Sequence, residues 1–192
     1  MDTSGKCHDC KGEMLMGIGD KILDHYAKYL GDFVGSEQYR FGDRIVQILG
    51  FPNVFKDCMV FATFGMTKFS EEIHRLCEVV LPVDDLYDEC SEILANTVCH
   101  IVAEKMEFGR GILIEGVDNI VPGFSDSCGK SALYFTDVSG LPEEFSVVDG
   151  GCEMYMCFFV TKEEAEFFKQ HGSDAFETYL EENEIDVAAV RR

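Results

Sequence analysis

Two apolar runs separated by a polar break constrain this chain more than anything else in it: Val60-Phe61-Ala62-Thr63-Phe64, ended by Gly65, and Arg75-Leu76-Cys77-Glu78-Val79-Val80-Leu81, ended by Pro82. Each is short, apolar and partly β-branched, which suits a strand inside a sheet and is too apolar for a surface loop. The spacing predicts strands over 58–64 and 75–81. Glu78 interrupts the second run and, by the two-residue alternation of a strand, shares a face with Leu76 and Val80. A carboxylate there must be paired or hydrogen-bonded, or its pKa rises. Two roles are open to it: a buried anchor accepting backbone N–H groups or meeting an arginine such as Arg75, or a general base.

The flanking pattern supplies helices and further strands. After a capping Asp20, the residues Ile22, Leu23, Tyr26, Ala27 and Leu30 form a helical stripe that Gly31 and Gly35 end. A strand over 45–49 is closed by Gly50 and Pro52. Leu86, Cys90, Ile93, Leu94, Val98, Ile101 and Val102 recur at helical spacing, which predicts a long helix over 84–106 capped by Asp84 or Asp85. Further strands are expected over 112–114, 132–135 and 154–160. Thr161 and Glu164 form a capping box for a helix that stops near Gly172, and Ser173 caps a last helix. The expectation is one α+β domain over 19–192, a mixed or antiparallel sheet covered by helices. A glycine-rich, flexible leader over 1–18 precedes it.

Composition narrows the function. The 192 residues suit a single domain, and 46% hydrophobic content argues against disorder. No apolar run approaches the ~18 residues of a membrane span, and Met1-Asp2-Thr3-Ser4-Gly5-Lys6 lacks the pattern of a secretion signal. With 36 acidic and 16 basic residues the net charge is −20, which disfavours nucleic acid or anionic membrane as a partner and reads first as a surface that keeps the chain soluble, second as one that meets a basic protein. The nine cysteines are odd in number and sit mostly in apolar runs, which points to free thiols in a reducing cytoplasm.

Several motifs approach chemistry without reaching it. Cys7-His8-Asp9-Cys10 has the spacing of half a zinc site or of a redox motif, but no second Cys-x-x-Cys or His pair completes the first and no strand precedes it as the second requires, so Cys7 and Cys10 are weak metal candidates and neither metal nor cofactor is expected. Asp84, Asp85, Asp88 and Glu89 are explained by the helix start. The run from Gly123 to Ser131 has five residues between its glycines where a P-loop has four, and a strand-like segment follows it. Gly17-Ile18-Gly19 lacks the third glycine of a dinucleotide fingerprint. His74 lies three residues from Cys77 and His100 adjoins Cys99, spacings that turn the side chains apart. His25 and His171 have no evident partner.

Taken in order, a set of short motifs resembles the suppressor-of-fused domain family in its bacterial form. Gly65-Met66-Thr67 and then Cys77-Glu78-Val79-Val80-Leu81-Pro82 are similar to its Gly-Met-Ser … Glu-Leu … Leu-Pro pattern. Ile114-Glu115-Gly116, Phe158-Phe159-Val160-Thr161 with Glu164, and Gly172 … Ala175-Phe176 … Leu180 continue it over roughly residues 20–185. The chain departs from the family in lacking tryptophan, in Val160-Thr161 for a more usual Val-Pro, and in its cysteine-bearing leader. The resemblance implies a non-enzymatic domain that binds other proteins. Its eukaryotic members sequester a transcription factor, and its bacterial members are regarded as immunity proteins against toxins of polymorphic toxin systems. It marks Gly65, Met66, Glu78, Leu81, Pro82, Glu164 and Gly172 as family positions and attaches no catalytic role to Glu78. Two function classes therefore stand at this point: an intracellular immunity-type inhibitor of a partner toxin, or a small cytosolic enzyme using Glu78 with a nearby histidine or cysteine.

Overall fold

The computed structural model describes residues 17–84 and 89–191. Helix α1 (Ile18–Tyr29) starts ahead of the expected cap: Asp20 lies within the first turn, where its carboxylate accepts from the Gly17 N–H at 3.1 Å and complements the positive end of the helix. Four strands follow as an antiparallel meander, β1 (Gly35–Phe41), β2 (Arg44–Pro52), β3 (Met59–Phe64) and β4 (Cys77–Val83). A 3₁₀ turn (Met66–Phe69) and the short helix α2 (Ser70–Ile73) link β3 to β4. The second half comprises α3 (Glu89–Ala103), β5 (Ile112–Glu115), α4 (Phe124–Cys128), β6 (Lys130–Asp137), β7 (Val147–Val148), β8 (Cys152–Thr161) and α5 (Lys162–Glu182).

Among the described residues the eight strands form one sheet in the order β1-β2-β3-β4-β8-β6-β5, with β7 beside β8. β4 and β8 run parallel and the other pairings are antiparallel, so the sheet is mixed. Helices cover both faces. Cys77, Val79, Leu81 and Val83 of β4 point into the larger core, against Ile93, Leu94, Val98 and Ile101 of α3. Val80 points the other way, into a core where Ile22 and Tyr26 of α1 cover Leu49 and Ala62. A third cluster sets Ala165, Phe176 and Leu180 of α5 on Tyr134, Phe158 and Val160. Every residue of β4 is buried, and each large apolar side chain enclosed this way contributes roughly 1.5–3 kcal/mol.

The structure corrects the sequence expectations in several places. β4 begins at Cys77, because His74 adopts a left-handed conformation (φ 53°) that turns the chain before Arg75. It also runs through Pro82 to Val83. Pairing with β8 ends at Val80, so the N–H that Pro82 lacks is not needed for the β4–β8 ladder. β2 likewise continues through Gly50 to Pro52. β1 was hidden by its polar sequence, as befits an edge strand that sends only Tyr39 and Phe41 against the core. The Asp84 carboxylate accepts from the Val190 N–H at 2.8 Å and ties down the C-terminal segment. Asp85, Leu86 and Asp88 lie outside the described residues, as do Cys7, Cys10 and the rest of 1–16. The two closing helices, by contrast, fall as expected: within the segment labelled α5, Gly172 (φ 79°, ψ 178°) is non-helical and separates the first from the second.

Candidate functional site

Glu78 sits on the α1 face of the sheet, fully enclosed, where β3 ends and the chain turns into the 3₁₀ segment. Its Oε1 accepts from the Gly65 N–H at 2.8 Å and from the N–H and hydroxyl of Thr67, both at 3.2 Å. Its Oε2 accepts from the Thr63 hydroxyl at 2.6 Å and the Met66 N–H at 3.2 Å. Thr63 Oγ1 in turn accepts from the Val79 N–H at 2.8 Å, extending the β3–β4 ladder beyond its last paired residues, Ala62 and Val80. The Tyr26 hydroxyl of α1 closes the top by donating to the Thr63 carbonyl at 2.8 Å. Burial pushes the Glu78 carboxyl above the usual carboxylate range, and the Thr63, Gly65, Thr67 and Met66 donors pull it back. Gly65 is needed on two counts: its φ is 109°, and a Cβ would stand 2.8 Å from the Ile45 carbonyl oxygen.

The family positions thus mark joints of the fold. Gly65, Met66 and Glu78 meet in this one turn, Leu81 fills the larger core, and Pro82 lies on the part of β4 beyond its pairing with β8. Glu164 completes the capping box of α5, accepting from the Thr161 N–H at 2.8 Å while Thr161 Oγ1 accepts from the Glu164 N–H at 3.2 Å. Gly172 breaks the same helix.

No nucleophile-and-base pair assembles among the described residues. Burial pushes the Cys99 thiol up to about 11 and Cys152 to about 12, and raises Cys77 and Cys157 as well, the opposite of an activated thiol. His25 stacks on Phe145 and its Nε2 lies 3.0 Å from the Phe145 carbonyl oxygen. His171 rests on Phe167. Lys130 is buried at the start of a strand, not presented by a helix-opening loop. Among the described residues no group of three or more His, Cys, Asp and Glu converges on a metal position, and no helix is long and apolar enough to cross a membrane.

Two surface grooves bear on the function. One lies between α1 and the 143–149 segment, where Lys21 and Lys28 face Glu143, Glu144 and Asp149 around Val147, which is 54% exposed. The other lies between the end of β6 and the C-terminal half of α5. Phe158, Leu180 and Ile185 floor it, and Asp137, Glu177, Glu181 and Glu184 line its sides. Glu177 is engaged there: it accepts from Arg110, Tyr134 and Thr136. Sequence reasoning passed over these carboxylates because an acidic helix end reads as a solvated surface. Only the fold brings Asp137 of β6 beside Glu181.

Comparison with known proteins agrees with this architecture. The family model for the suppressor of fused protein (SUFU) matches residues 42–192. No curated protein matches the chain. The crystal structure of a SUFU homologue from Neisseria gonorrhoeae FA 1090 superposes with a TM-score of 0.72 at 17% identity, covering 91% of this chain and 94% of its own. A chain of the Sufu–Fu complex superposes with a TM-score of 0.55 at 10% identity, covering 85% and 82%. At such low identities these structures establish a shared fold. The family model establishes descent, since it spans most of the sheet, the Glu78 turn and both parts of α5: the chain belongs to the suppressor of fused family.

Proposed function

We propose that this chain is a non-enzymatic protein-binding domain acting as an intracellular immunity-type inhibitor, and that it works by covering a surface of a basic partner toxin. The observation that carries this reading is the state of Glu78. The enzyme reading of the sequence rests on that carboxylate as its base, yet it is enclosed and takes five hydrogen bonds from the turn it holds. A general base must reach the proton that it removes, and Glu78 faces the N–H groups and hydroxyls of Thr63, Gly65, Met66 and Thr67 inside the fold. Two further points support the reading. A chain of the Sufu–Fu complex has the same fold. The net charge of −20 steers association with a cationic partner, an effect of roughly 10–10³ on on-rates at low salt.

The test is affinity capture with the tagged full chain in its native host, followed by titration of the captured partner at two salt concentrations. A single partner bound tightly, with association slowed by salt, is the expected result. A substrate turned over by the purified folded chain would overturn the proposal.

A further inference from the structure

We propose that the groove between β6 and α5 receives an extended basic segment of the partner, in which lysine or arginine side chains flank an apolar residue. This rests on the protein-binding reading above and adds to it the surface used and the chemistry recognised.

The groove is built in two tiers. Its floor is apolar and closed: Phe158 and Leu180 are 3% and 6% exposed, and Val138, Ile185 and Val187 fill the space around them. Its rims are anionic and open. Asp137 stands on the β6 side, Glu181 and Glu184 on the α5 side, and all three are exposed. Among the described residues no lysine or arginine lines the groove. The groove beside α1 differs in this respect, because Lys21 and Lys28 offset its carboxylates.

The protein itself shows how this wall treats a cation. Glu177, at the inner end of the groove, holds the Arg110 guanidinium at 2.8 Å, with Asp174 on the same nitrogen at 2.7 Å. Asp137, Glu181 and Glu184 repeat the chemistry along the open part, with no cation of the described residues lining the groove beside them. An extended segment presents alternate side chains to opposite sides. One lying in this groove seats an apolar side chain on Phe158 and Leu180 while its neighbours reach the carboxylates on either rim. Glu184 strengthens the case. It follows α5 in a left-handed conformation (φ 51°) that glycine adopts more readily, and the Ile185 N–H then bonds back to the Leu180 carbonyl at 2.9 Å. A carboxylate thereby stands at the rim while Ile185 turns down into the floor.

The probe is a fluorescent ten-residue peptide of Lys, Arg and Ser around a central Leu-Val pair. Its control carries Glu at every basic position. Binding is followed by anisotropy at two salt concentrations, with the full chain as wild type, as Asp137→Lys/Glu181→Lys, and as Glu143→Lys/Glu144→Lys. The last variant makes the same charge change at the other groove. Unchanged circular dichroism and urea midpoints establish that each variant is folded. The basic peptide should bind and its acidic control should not. The Asp137/Glu181 pair should weaken binding about tenfold or more, and the Glu143/Glu144 pair by less than about threefold. Equal losses in the two variants would show a diffuse field and overturn the groove, as would no binding of the basic peptide. Self-association of the chain in sedimentation, abolished by the groove variant, would assign the groove to a second copy and equally overturn the proposal. The two readings separate on the natural partner. If it binds the groove variant as tightly as wild type, the groove assignment fails and the binding domain stands; if wild type captures no partner at all, the binding reading fails first.

Discussion

Replacing Glu78 by glutamine keeps the side chain's shape and removes one acceptor oxygen, so the outcome follows from the hydrogen bonds. The amide oxygen can take the place of Oε1 and keep the Gly65 N–H and both Thr67 donors. The amide NH₂ then falls where Oε2 accepted from Thr63 and Met66. The Thr63 hydroxyl can rotate and become an acceptor, but the Met66 N–H cannot move and is left facing a donor. The reverse orientation strands two backbone donors, Gly65 and Thr67, and is worse. One buried unpaired N–H costs about 1–3 kcal/mol, which sets the expected loss for Glu78→Gln. Alanine at this position abandons every one of these donors and opens a cavity, so Glu78→Ala should cost about 3–5 kcal/mol. Urea denaturation at neutral pH measures both, read from the midpoint at unchanged m-value. A glutamine variant as stable as wild type, or an alanine variant no worse than glutamine, would refute the role assigned to Glu78 in holding the turn.

Other perturbations address the remaining joints. Gly172→Ala should destabilise by about 1–3 kcal/mol through backbone strain alone, because φ 79° disfavours any side chain although no atom lies within 4 Å of the new Cβ; an unchanged thermal midpoint would contradict this. Leu81→Ala should cost about 2–5 kcal/mol while leaving partner capture by the folded fraction intact, which a pull-down at low temperature checks. Burial pushes the Glu177 carboxyl up, but hydrogen bonds from Arg110, Thr136 and Tyr134 outweigh it and hold it below the usual carboxylate range. A lowered folded-state pKa contributes stability above the unfolded value of about 4.3 and loses it as pH falls through the lowered one. The stability gap between wild type and Glu177→Gln should therefore narrow as pH drops below about 4.3, and a gap constant down to about pH 3 in urea titrations would exclude the mechanism.

How much of this could be read from the chain depends on where each residue gets its partners. β3, β4 and β8 were legible because strands buried on both faces are apolar throughout, and the Thr161–Glu164 capping box because its partners are three residues apart. The odd chemistry of Glu78 was legible too, as a carboxylate in an apolar run, though the donors that satisfy it come from a turn more than ten residues earlier. β1 was not legible, since an edge strand needs no apolar face. Nor was the reach of β4 past Pro82, because tolerance of proline there depends on where β8 stops pairing. The β6–α5 groove was beyond the sequence altogether: Asp137 and Glu181 become neighbours only when α5 folds back over the sheet.

The parallel seam between β4 and β8 has a consequence for how the protein is made. The ribosome completes the meander from β1 to β4 early, yet the β8 edge of β4 stays without a partner until Cys152–Thr161 emerge. During that interval a seven-residue strand, buried throughout in the finished molecule, offers unpaired peptide groups and apolar side chains to any other nascent chain. Residues Cys77 and Glu153, which lie side by side in the seam, are far apart along the chain, and contacts of that kind form late and slowly. Synthesis halted before Cys152 should therefore leave an aggregating fragment and not a soluble half-domain, and the yield of functional protein should depend on translation speed and on chaperones that occupy the waiting edge.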